Sequence, residues 1–119
     1  MDNNLIDFIR LLTPDYNSNA LYIDIDNRDI YILLKRYFKD VIRTSFEELN
    51  KLKGQFDFCV ISGFERGLFE KNLGILYDKL KDNSILGIVI NVSDFSYECV
   101  SILRKNRFNV DFIDKKDSL

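Results

Sequence analysis

Two acids one residue apart, Asp24 and Asp26 in "LYIDIDNRDIYILLKRYF" (residues 21–38), are the first groups in this chain able to do chemistry. On an extended segment residues i and i+2 share a face, so both carboxylates point to one side of a sheet. Like charges held that close repel unless a cation or a helix N-terminus compensates them. Two carboxylates, a hydroxyl and a divalent cation are enough for phosphoryl transfer. The strand pattern places several residues nearby. Asn27, Arg28 and Asp29 lie in the same turn, Thr44 and Ser45 after a second strand, Ser62, Gly63 and Phe64 after a third, and Asn91, Ser93 and Asp94 after a fourth. A structural account competes: Asp26 or Asn27 caps the helix that starts near Asp29 or Ile30, where the helix dipole also favours an acid. Asp24, deeper in the strand, needs a partner of its own, because a lone buried carboxylate is costly. Tyr16, Tyr22 and Tyr31 can line a pocket above this strand, with core-edge packing the simpler role for Tyr31.

The elements that must position these groups follow from periodicity. Leu5, Phe8, Ile9 and Leu12 recur at helical spacing, after which Pro14 and Asn17-Ser18-Asn19 break the chain. Residues 20–26 read as a strand. Ile30, Leu33, Leu34, Tyr37 and Phe38 form the apolar stripe of a helix whose other side carries Lys35, Arg36 and Lys39. A short strand over 41–44 leads to a small helix over 46–52, closed by Gly54. "FDFCVIS" (56–62) and "SILGIVINV" (84–92) are apolar on both faces, as interior parallel strands are. Phe69, Leu73, Leu76, Tyr77 and Leu80 define a helix between them. Residues 96–106 make a last helix and "FNVDFID" (108–114) a last strand. Strands separated by single helices require right-handed crossovers and a parallel sheet. The prediction is one domain over 1–119: a doubly wound α/β sheet of five mostly parallel strands, order 2-1-3-4-5, with helices on both faces and an extra N-terminal helix.

Composition narrows the chemistry. The 119 residues contain no histidine, which removes the commonest general base, the hydrolase dyads that rely on it and the usual zinc sites. A net charge of −2 argues against a nucleic-acid partner. "LLKRYFKD" interleaves bases with aromatics, but at helical spacing the aromatics fall on the core face and the bases on a solvated one. No apolar run approaches the roughly 18–20 residues that span a bilayer, so no membrane is expected. "MDNNLIDFIRLL" lacks the pattern of a targeting signal, which predicts a cytoplasmic protein. Cys59 and Cys99, set among apolar neighbours, read as buried free thiols.

Most of the chain, about residues 3–114, resembles a class I (Rossmann-like) S-adenosylmethionine-dependent methyltransferase. "LIDFIRLLTPDYNS" resembles the helix that family lays over its cofactor pocket, "FDFCVISGF" its fourth strand, and "LGILYDKLKDNSILGIVI" the helix, turn and strand that follow. "SYECVSILRKNRFNVDFID" resembles the next helix and strand, with Arg107-Phe108 where the family has Gly-Phe. The resemblance implies S-adenosylmethionine at the switch point, against Asp24, Asp26, Asn27, Thr44, Ser62 and Gly63. Yet the family's first turn is rich in glycine because backbone and cofactor touch there, and here it reads "DIDNRD". Thr44 or Ser45 stands where an acid holds the cofactor ribose. The expectation is therefore a methyltransferase-like domain with a degenerate site that does not bind S-adenosylmethionine tightly and serves as a binding or interaction module.

Two further resemblances share the acidic pair. Response-regulator receiver domains have a similar first strand and helix, and there the pair corresponding to Asp24 and Asp26 helps bind Mg2+. Their phosphoryl acceptor would fall at Ser62, leaving a pseudo-receiver. "YIDIDN", "VISG" and "FIDKKD" resemble the motifs of haloacid-dehalogenase-type phosphatases, implying Asp24 as nucleophile, Asp26 as acid–base, Ser62 on the phosphate and Mg2+ at Asp114 and Asp117. The partner expected under the interaction reading is an unidentified protein or a second copy, since an uncovered edge strand invites pairing into a homodimer.

Overall fold

The two-sided apolar run "FDFCVIS" is a strand at the bounds its pattern sets, Phe56–Ser62, and the sheet is built around it. The computed structural model describes residues 17–26, 30–89 and 97–108. In chain order these form β1 (Asn19–Asp24), α1 (Tyr31–Tyr37), β2 (Asp40–Thr44), a 3-10 turn (Leu49–Lys51), β3 (Phe56–Ser62), α2 (Arg66–Lys79), β4 (Leu80–Val89) and α3 (Tyr97–Lys105). Every strand pair is parallel and the order is β2-β1-β3-β4. The register sets Tyr22 beside Arg43 on one side and Val60 on the other, and brings Asp24 level with Ser62.

Alternation along β1 and β3 divides the core into two clusters. Leu21, Ile23, Cys59 and Ile61 pack with Phe46 and Leu49, with Phe69, Leu73 and Leu76 of α2, and with Cys99, Ile102 and Leu103 of α3. Ala20, Tyr22, Phe58 and Val60 pack with Ile30, Leu33, Leu34 and Phe38. Both thiols are buried and unpaired, and burial raises the pKa of each, that of Cys99 to about 11. A protonated, enclosed thiol is a poor nucleophile.

Several expectations are corrected. Among the described residues the sheet has four strands, not five. The expected fifth, 108–114, lies outside them except for Phe108, which terminates α3. Its N–H donates to the Leu103 carbonyl at 3.0 Å and that of Arg107 to Arg104 at 3.1 Å, with Arg107 at φ 74°. This is a Schellman end, and its left-handed position favours glycine. Arg107→Gly is accordingly expected to stabilise the fold by about 1 kcal/mol, read from the urea midpoint. β4 starts earlier than expected, directly after α2, so Leu80 is its first residue and not the last turn of a helix. It advances from Leu80 to Ile85 while β3 advances from Phe56 to Phe58, an irregularity that Asn83 accommodates at φ 62°. β4 is the terminal strand of the described sheet, and Ile85 is exposed while Leu86 and Ile88 are half-buried, where two-sided burial was the expectation. Tyr77 is exposed, its ring edge-on to Phe108. The small helix expected over 46–52 is one 3-10 turn. The leading helix, residues 3–12, lies outside the described residues.

Candidate functional site

β1 lies between β2 and β3, so the connections that follow β1 and β3 run to opposite sides beyond their carboxyl ends, the place where such sheets bind ligands. β1 ends at Asp24, two residues short of the expected bound, so strand alternation no longer fixes the direction of Asp26. The helix N-cap is Ile30, which has no side-chain oxygen, in place of Asp26 or Asn27.

Asp24 is not a lone carboxylate. Its Oδ2 accepts from Arg43 Nη2 at 2.9 Å and its Oδ1 from Ser62 Oγ at 3.0 Å. Tyr22 Oη lies 3.1 Å from Ser62 Oγ and accepts the Ile30 backbone N–H at 3.2 Å. A hydroxyl has one proton to give, and Ser62 spends its own on Asp24, so Tyr22 must donate to Ser62. The order of donation is therefore fixed from the Ile30 N–H through Tyr22 and Ser62 to Asp24, whose charge Arg43 balances. Tyr22 and Ser62 are wholly buried and the Asp24 side chain is 8% exposed. Desolvation raises the Tyr22 pKa, with the Ser62 hydrogen bond acting in the other direction, so the phenol stays neutral. Arg43 also lies over the rings of Tyr22 and Tyr31, 5.6 and 5.9 Å from their centroids.

Gly63 packs against Ile25 and Asp26 at the end of β1. At φ 104° it occupies backbone space that other residues avoid, and a Cβ there would sit 3.0 Å from both the Asp26 nitrogen and Ile25 Cβ. The Ser62 carbonyl accepts from the N–H groups of Ile25 and Asp26, at 2.8 and 3.2 Å, and the Gly63 N–H donates to Val89. The glycine thus lets the β1–α1 turn lie on the end of β3. The close approach is to the protein's own backbone.

The structure brings four of the six predicted site residues to one place: Asp24, Asp26, Ser62 and Gly63. Thr44 is level with Ile23, but its Oγ1 donates to the adjacent Ser45 carbonyl. Asn27 lies outside the described residues, as do Tyr16, Asn91, Ser93, Asp94, Asp114 and Asp117. Arg43 is the member that sequence reasoning missed. Its signal is a single base in the β-branched run "VIRTS", on the strand predicted to flank β1.

At the turn where the resemblance implies S-adenosylmethionine, Ile25 and Asp26 pack on Gly63. Both carboxylate oxygens of Asp24 are bonded, one to Arg43 and the other to Ser62. Among the described residues no three His, Cys, Asp or Glu side chains converge as ligands, and no helix is long and apolar enough to cross a membrane. A groove of about 380 Å3 lies at the opposite, amino ends of β1, β2 and β3, between Lys35, Asp40, Lys53 and Phe56. Comparisons with models of known protein families, with curated proteins and with solved structures found no match.

Proposed function

We propose that this chain is a non-catalytic binding module, a methyltransferase-like domain whose cofactor position is filled by its own turn and closed by an internal hydrogen-bonded network. The reading includes the finer architecture: a doubly wound sheet with helices on both faces. The observation that carries the proposal is the seat of Ile25 and Asp26 on Gly63, where a Cβ would be 3.0 Å from backbone. Ile25 and Asp26 thus occupy the end of β3, where the resemblance implies a cofactor. The network beneath it supports the same reading, because Ser62 is inaccessible as a nucleophile and Asp24 is already neutralised.

The test is calorimetric titration with S-adenosylmethionine and its demethylated product, alongside a thermal-shift series in Mg2+. The expected result is no saturable binding at micromolar cofactor and no Mg2+-dependent rise in melting temperature. One-to-one micromolar binding of the cofactor overturns the proposal in favour of an active methyltransferase. A saturable Mg2+ shift that Asp24→Asn abolishes overturns it in favour of a receiver-like or phosphatase-like site.

A further inference from the structure

β2 ends the described sheet on its side, and no strand among the described residues lies beyond it. An uncovered edge is a template for pairing unless a charge, a bulge or a proline blunts it. The charge best placed to do so here, Arg43, is drawn onto Asp24 at 2.9 Å. The middle of the strand carries Ile42, 43% exposed, on the face opposite Val41 and Arg43.

We infer that β2 pairs antiparallel with the β2 of a second copy of this chain, about a two-fold axis at Ile42. A two-fold axis normal to the sheet keeps each side chain on its own face, so a symmetric antiparallel register must centre on a residue. Centred on Val41, the pairing sets Lys39 against Arg43 of the second copy, twice. Centred on Arg43, it sets two guanidinium groups against each other. Centred on Ile42, it opposes Asp40 to Thr44, Val41 to the Arg43 stem and Ile42 to its own copy. A carboxylate then meets a hydroxyl donor, two exposed isoleucines cover one another, and no like charges are opposed. The charges of Lys39 and Arg43 thus reject the two registers on either side. A five-residue edge buries little area, so the dimer is weak and concentration-dependent.

The inference rests on the edge and is independent of how the switch point is used. Sedimentation of the whole chain from about 10 µM to about 1 mM is expected to show a dimer fraction that grows with concentration. Under mild oxidation Ile42→Cys is expected to give a disulfide-linked dimer, because the two copies of residue 42 face each other; the native thiols are buried and do not compete. Lys39→Cys, whose copies are about 20 Å apart in this register, forms no disulfide-linked dimer. A single monomeric species throughout the series, or cross-linking of Lys39→Cys as fast as of Ile42→Cys, overturns the inference.

Discussion

Gly63→Ala is expected to cost about 3 kcal/mol of folding stability, far more than a surface substitution. Two effects add. At φ 104° a residue with a Cβ is strained by about 1–2 kcal/mol wherever it sits. The added methyl would also lie 3.0 Å from the Asp26 nitrogen and Ile25 Cβ. The first of these is backbone, held by the Ser62 carbonyl, and does not yield as a flexible side chain would; overpacking of this kind costs about 1–3 kcal/mol. Gly54→Ala is the control. Gly54 has φ 87° but nothing within 4 Å of its would-be Cβ, so it reports strain without the collision. Urea denaturation of both variants separates the terms. A Gly63→Ala loss no larger than that of Gly54→Ala would mean that the turn does not rest on Gly63.

The strands were legible because their signals are strong and local. "FDFCVIS" is apolar at every position but Asp57 and Ser62, as an interior parallel strand is; it forms β3 residue for residue. The order of the first four strands followed from right-handed crossovers together with the interior placement of the apolar strands. The misses have physical causes. Leu80 continued the helical stripe of Phe69, Leu73 and Leu76, yet α2 passes into β4 without a loop, which periodicity cannot see. The alternation of "LYIDID" extends β1 to residue 26. The chain instead turns after Asp24 because Ile25 and Asp26 both bond to the Ser62 carbonyl, a contact with a residue 36 or more positions away. The site was legible as a list and not as an arrangement: Asp24, Ser62 and Gly63 meet as the topology requires. That Asp24 is satisfied by Arg43 depends on the parallel register of β1 and β2, which sets Tyr22 beside Arg43 and leaves Asp24 within reach. Composition carries no trace of that register.

Arg43→Met is the substitution that asks whether the network needs its cation. Methionine retains an unbranched apolar stem over the Tyr22 ring and removes the charge. Asp24 is then left 8% exposed, with the Ser62 hydroxyl as the remaining donor that reaches its side chain in this network. Removing one partner of a fully buried pair costs about 3–5 kcal/mol. The Arg43 side chain is 45% exposed, so water already screens part of the attraction and the expected loss is about 2 kcal/mol. Asp24→Asn keeps an acceptor for Ser62 and removes the buried charge, at an expected cost of about 1 kcal/mol. In the double variant the carboxylate that needed a cation is gone, so its stability should lie close to that of Asp24→Asn alone. The coupling energy between the two positions is then on the order of 1–2 kcal/mol. Additive losses would show that Arg43 acts through its packing over Tyr22 and Tyr31 and that the Asp24 charge is balanced elsewhere. Strong coupling would identify the guanidinium as the counter-ion built into this switch point.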